Sequence, residues 1–167
     1  MKKLHLGCGH RYLDGWINLD ISEKDIYGKK LKVDVTHNLN KFPYPFKDKS
    51  FDFVLMEHTL EHLNNPNRVI KELLRITKKN GIIKIVVPHF SHYGSFRDPT
   101  HKHYFSLDSI DYFKGFKVLS KKLSFSHNKI LRILFNPLIN FNYRIYERFF
   151  CYLFPAEECI WELKPLN

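Results

Sequence analysis

Along the chain, short apolar runs alternate with polar or helix-patterned stretches, and this alternation predicts a layered α/β fold. Strands are expected at 3–6, 16–20, 31–35, 51–56, 82–87, 116–125 and 159–163. The fifth run, Ile82-Ile83-Lys84-Ile85-Val86-Val87, is β-branched and almost continuously apolar, as suits a central strand covered on both faces. In the sixth, Val118, Leu119, Leu123 and Phe125 are interleaved with lysines and serines, so one face is expected to meet water. The best-marked helix has Asn65 as N-cap and Pro66 at its first position, with Val69, Ile70, Leu73, Leu74 and Thr77 on its buried face. Lys78 and Lys79 would complement its C-terminal dipole and Gly81 would end it. A helical turn is expected over 58–63, and a short helix over 107–113 capped by Ser106.

Between the last two strands, Leu138, Phe141, Ile145, Phe149 and Tyr152 recur at helical spacing, while Ile139, Tyr143, Tyr146 and Phe150 crowd the flank. A helix over 130–154 that is apolar nearly all round is therefore predicted. Three uses are open to it: packing into the core, a dimer contact, or contact with lipid or a lipid-linked substrate.

The 167 residues suit a single domain, 1–167, and allow a core without covalent staples. A formal net charge of +10 favours anionic partners, although the lysines and arginines are spread along the chain and their small clusters read as solvated faces. No interleaved basic and aromatic patch suggests nucleic acid. The three cysteines, Cys8, Cys151 and Cys159, are not arranged as metal pairs and point to free thiols in a reducing, cytoplasmic setting, with peripheral membrane contact through 130–154 left open. Arg132, Pro137, Arg144, Glu147 and Arg148 interrupt the most apolar stretch, so no span is expected there.

The candidate chemistry starts at the first strand, which runs into Gly7-Cys8-Gly9, while the second stops on Asp20. A glycine turn after a buried strand lets backbone N–H groups approach a ligand, and an acid ending the neighbouring strand can accept both hydroxyls of a ribose. Dinucleotide and S-adenosylmethionine binders share this pattern.

Further motifs separate the two. Phe46-Lys47-Asp48-Lys49-Ser50-Phe51-Asp52-Phe53-Val54, followed by Glu57-His58-Thr59-Leu60-Glu61-His62-Leu63, resembles the class I S-adenosylmethionine-dependent methyltransferases. The resemblance is to their small type-11-like group, met among surface-polysaccharide biosynthesis proteins. Pro88-His89, Asp98-Pro99-Thr100-His101 and His103-Tyr104-Phe105-Ser106 are similar to that group's own loop, and Tyr146-Glu147-Arg148-Phe149 and Phe154-Pro155-Ala156-Glu157-Glu158 to its C-terminal pattern.

The resemblance implies a Rossmann-like, seven-stranded, mostly parallel sheet with helices on both faces, an antiparallel last strand and a helical insertion between strands six and seven. It also implies S-adenosylmethionine as cofactor. Gly7, Cys8 and Gly9 would hold its methionine end, Asp20 its ribose, Asp34 with Val35 its adenine, and Glu57 would lie near its sulfonium and amino group. The implied acceptor is a sugar, nucleotide-sugar or polysaccharide-linked molecule, methylated on oxygen or nitrogen. His5 stands where the family usually has an acid, Arg11 where a third glycine is common, and the 9–20 stretch is too short for the usual first helix.

His89, His92, His101 and His103 follow strand five with Asp98 among them. A neutral imidazole can take a proton near pH 7 and a carboxylate can orient it, so His101 or His89 is expected as base and Asp98 as orienter. Turn hydrogen bonds from Asp98 and Thr100, with the histidines lining a polar loop, are the competing structural reading. His58-Thr59-Leu60-Glu61-His62 formally matches a zinc-protease signature, but the surrounding motifs explain both His58 and Glu61. A set of His89, Asp98, His101 and His103 has no recognised metal spacing, so no metal is expected. The alternative to an enzyme is a cofactor-binding, inactive module docking a partner through its C-terminal aromatic helix. A nicotinamide dehydrogenase is more distant.

Overall fold

The computed structural model describes every residue except Ile26 and Asn167. Seven strands form one sheet: β1 (Lys3–Leu6), β2 (Ile17–Asp20), β3 (Val35–Thr36), β4 (Phe51–Glu57), β5 (Thr77–Pro88), β6 (Phe116–Ser124) and β7 (Glu158–Pro165). Their order is β3-β2-β1-β4-β5-β7-β6. The first five run parallel, and β7 lies antiparallel between β5 and β6. The expected Rossmann-like arrangement with its antiparallel last strand is therefore present. The order of the strands reverses between β1 and β4, which makes their C-terminal ends the switch point where open α/β sheets bind ligands.

Alternation sets the core. Leu4, Leu6, Val54, Met56, Ile83, Ile85, Trp161 and Leu163 are fully buried in one cluster with Val69, Ile70, Leu73 and Ile76 of helix α1 (Pro66–Ile76). Asn65 caps α1 by accepting from the Arg68 N–H, and Pro66 opens it, as the sequence predicts. The ending differs. Thr77 turns the chain into extended backbone while its hydroxyl donates to the Leu73 carbonyl at 2.6 Å, so β5 begins without a glycine. Lys78 and Lys79 consequently lie in the strand, where Lys78 pairs with Asp52. Gly81 sits inside β5, where a Cβ would stand 3.0 Å from the carbonyl oxygens of Phe51 and Asp52, beside the register irregularity of β4.

Strand three is also shorter than the pattern suggests. Residues 23–25 and 27–31 fold back on one another, with Leu31 N–H donating to the Glu23 carbonyl and the Asp25 carboxylate accepting from Tyr27 and Lys29, and only Val35 and Thr36 are left to pair with β2. Among the described residues no helix lies between β1 and β2 or between β2 and β3. The loop after β5 contains a short helix, α2 (Gly94–Arg97), that the pattern does not reveal, and the 3-10 turns at Leu60–His62 and Leu107–Tyr112 fall where helical turns are expected.

The 130–154 segment is not one helix. Helix α3 (Lys129–Phe141) stops at Asn142, whose extended φ of −142° ends it and whose side chain caps α4 (Tyr143–Ile145), which continues as a π turn over Tyr146–Phe150. Ile139, Tyr146 and Cys151 join the core, but Leu138, Phe149 and Tyr152 face solvent and Phe141 is 94% exposed. Core packing therefore accounts for only one side of it. Asn140 exchanges two hydrogen bonds with the Leu123 backbone and Asn136 accepts from Phe125 N–H, so the insertion covers the C-terminal end of the outer edge of β6. No helix among the described residues is long and apolar enough to cross a membrane.

Gly7, directly after β1, has φ +69°, and a Cβ there would lie 2.1 Å from the Thr59 hydroxyl and 2.9 Å from the Thr59 Cβ. At Gly9, φ is +49° but nothing lies within 4 Å. Urea unfolding should show Gly7→Ala losing roughly 2–4 kcal/mol and Gly9→Ala only about 1 kcal/mol; equal losses would contradict the close Gly7–Thr59 approach.

Candidate functional site

At the switch point the turn after β1 is fixed by β2. The Leu19 carbonyl accepts from both Gly7 and Cys8 N–H, at 2.8 and 3.1 Å. Asp20 takes the Gly9 N–H on one carboxylate oxygen and the Ile21 N–H on the other, each at 2.7 Å. Each oxygen keeps a second acceptor position. Gly7, Gly9 and Asp20 line a cavity of about 480 Å³ together with Ile21, Asn38, Leu39 and Asn40, a volume suited to a small molecule. Burial pushes the Cys8 thiol up to about 11, so it is uncharged there.

Of the other residues assigned from the resemblance, Cys8 and Glu57 line one pocket with Gly7 and Gly9, whereas Asp34 and Val35 are placed differently. Asp34 lies level with Asn18 and below the strand tip, its carboxylate filled by the Asn18 backbone and side chain and by the Tyr12 hydroxyl. Neither it nor Val35 lines the cavity; the residues after β3 that do are Asn38, Leu39 and Asn40. Nothing in their side chains marks them beforehand, because their place in the cavity wall follows from where the loop returns. Glu57 stands at the β4 tip, ion-paired to Arg11, with the buried His5 ring 4.0 Å away. Burial holds His5 below the ordinary histidine range.

A second cavity of about 500 Å³ adjoins the first and is lined by His58, His62, His92, Arg97, His101 and His127, with Glu61, Asp98 and Glu157 among them. His89 is not among them. It is fully buried, held by Ser91 on Nδ1 and Glu147 on Nε2, and Glu147 also accepts from Leu107 N–H, so this cluster ties the insertion to the core. His101 does face the cavity, but Asp98 does not orient it. The Asp98 carboxylate accepts from the Thr100 N–H and hydroxyl, which hold it below its ordinary range, while His101 Nδ1 meets the Ser95 carbonyl at 2.8 Å.

His58 is the residue that sequence reasoning passes over. It lines both cavities, has a positive φ of 45°, and is fixed by its N–H to the Val86 carbonyl and by Nε2 to Glu158 at 2.9 Å. Glu158 accepts, so Nε2 carries the proton and Nδ1 is free to take another. The Glu158 hydrogen bond raises the His58 pKa against the effect of burial. A left-handed non-glycine residue at a strand tip beside a ligand cavity is where functional strain is expected, but only the fold reveals that Glu158, a hundred residues away, is its partner.

Residues 4–85 match a family model described as a methyltransferase domain. A demethylmenaquinone methyltransferase from Renibacterium salmoninarum is 46% identical over 55 residues, 32% of this chain and 22% of that protein. A ubiquinone biosynthesis O-methyltransferase from Pelagibacter ubique is 32% identical over 99 residues, 51% of this chain and 41% of that protein. The chain thus spans less than half the length of these relatives. Among solved structures, an S-adenosylmethionine-dependent methyltransferase from Archaeoglobus fulgidus superposes with a TM-score of 0.66 at 21% identity, covering 98% of this chain and 85% of that one. One from Mesorhizobium loti gives 0.65 at 13% identity, covering 98% and 90%. The chain therefore has the fold of the class I S-adenosylmethionine-dependent methyltransferases, and its residues 4–85 match a methyltransferase domain.

Proposed function

We propose that this protein is an S-adenosylmethionine-dependent methyltransferase acting on a hydroxyl of a small acceptor that carries an apolar tail. The observation that carries the cofactor reading is Asp20, at the switch point, with one free acceptor position on each carboxylate oxygen, beside a Gly9 whose missing Cβ leaves open space. Asp20 would hold the ribose hydroxyls and the Gly7–Gly9 backbone the methionine end, with Asn38, Leu39 and Asn40 nearest the adenine. When bound, the cofactor supplies an electrophilic methyl carbon for in-line displacement.

The protein supplies position and a base. His58 borders both cavities, its tautomer fixed by Glu158, and its Nδ1 takes the proton that the acceptor hydroxyl loses. His101, with its ring buried and Nδ1 occupied by Ser95, is the less open alternative. The polar, histidine-lined cavity suits an acceptor head, and the exposed groove of about 460 Å³ between Leu138, Phe141, Ile145 and Phe150 suits its tail. Two relatives carry a quinone in their names, which argues for a tailed ring; a sugar on a lipid carrier offers the same combination of hydroxyl and apolar tail. The same apolar surface supports contact with a membrane or a second copy of the chain.

Substitution of His58 by Gln should lower kcat by about 10²–10⁴-fold while S-adenosylhomocysteine binding is unchanged; undiminished turnover would remove His58 from the role. Assays on polyprenylated hydroxy-quinol precursors and on lipid-linked sugars distinguish the two acceptor sources. With whichever is accepted, Phe141→Ser should raise KM several-fold for the tailed molecule but not for its short-chain analogue. Equal effects on both would contradict the groove as a tail site.

A further inference from the structure

We propose that Glu61, His62 and His101 bind one divalent cation of the zinc type in the wall between the two cavities. Glu61 is 1% exposed, and neither of its carboxylate oxygens has a hydrogen-bond partner. Buried carboxylates are ordinarily hydrogen-bonded, paired or bound to metal. Burial raises its pKa, but protonating it would leave the same gap, since the nearest imidazole nitrogens are His58 Nδ1 at 3.8 Å and His101 Nε2 at 4.0 Å.

The tautomers of the two flanking rings follow from their outer bonds. His101 Nδ1 lies 2.8 Å from the Ser95 carbonyl, which can only accept, so Nδ1 carries the hydrogen and Nε2 turns a lone pair towards Glu61. The Thr100 hydroxyl gives its hydrogen to Asp98 at 2.7 Å and must therefore accept from His62 Nδ1 at 2.9 Å, which leaves His62 Nε2 as a lone pair too. Glu61, His62 and His101 each offer a ligand atom, all within 4.8 Å of one another. Two ligand atoms on one zinc ion stand roughly 3.4 Å apart, so closure needs these separations to shorten by up to about 1.4 Å.

The Glu61 carboxylate and His101 Nε2 face each other without a hydrogen between them, with His62 alongside, and this is what a cation resolves. The outer bonds match the way metal-binding histidines are held, each by an acceptor on its second nitrogen. Two imidazoles and one carboxylate leave at least one coordination position open, as at catalytic zinc sites. His62 and Asp98 border the cofactor cavity as well, so that open position would face an acceptor oxygen and lower its pKa, with His58 beside it to take the proton. Cation binding stands without the methyltransferase reading; only this role rests on it. The reading also gives Asp98 and Thr100 a purpose as positioning residues.

The test is calorimetric titration of the chelator-treated, full-length protein with zinc chloride alone, with thermal unfolding and S-adenosylhomocysteine titration in parallel. The wild type should bind one equivalent and melt higher with zinc. Glu61→Gln and His101→Ala should each weaken binding at least about tenfold and lose the thermal shift, while retaining S-adenosylhomocysteine affinity. If Glu61→Gln does not fold, His101→Gln provides the same comparison. Zinc binding of equal affinity in wild type and variants, or none in the wild type, would overturn the site. Loss of S-adenosylhomocysteine binding by the wild type would instead count against the cofactor reading.

Discussion

The grip of β2 on the turn that follows β1 is the constraint on which the rest depends. One carbonyl, that of Leu19, accepts two successive N–H groups, and the carboxylate of the next residue accepts a third. The turn can close this tightly because Gly7 adopts a left-handed conformation against Thr59, with no room for a side chain. The resemblance implies a long first helix after such a turn. Here the connection between β1 and β2 has none, and the grip is supplied by β2, with Asn18 and Asp34 holding the loop from below.

Most of the sheet was legible because alternation and continuous β-branched runs report directly on burial. The boundaries that misled were those where a side chain replaced a backbone signal. Thr77 ends α1 through its own hydroxyl, so Gly81 became available for a different purpose inside β5. The Asp25 carboxylate folds a loop over residues that otherwise look like a strand. The 130–154 segment has a helical period throughout, yet the period does not reveal that Asn142 caps a new helix.

Site legibility followed the same division. Gly7, Gly9 and Asp20 are visible in sequence because their place at the cavity follows from the backbone turn and the strand tip. Asp34 is misleading, since an acid near a strand end binds Asn18 and Tyr12 as readily as a ligand. His58 and Glu158 could not be paired without the sheet, because β4 and β7 are joined only through β5. His89, singled out as a base, is tied into the core by Glu147, while the loop it opens places His101 next to Glu61. Three of the ten histidines differ in their second partner: His101 meets a carbonyl, His62 a hydroxyl and His58 a carboxylate.

The central claim is that the β1–β2 turn and Asp20 form the cofactor site, and calorimetric titration with S-adenosylhomocysteine tests it most directly. Wild-type protein should bind one equivalent, and Asp20→Ala, which removes the ribose acceptor and releases the Gly9 N–H, should weaken binding by at least about 10²-fold, the loss of two charge-assisted hydrogen bonds. Equal affinity in the two proteins, or absence of binding to the wild type, would contradict it.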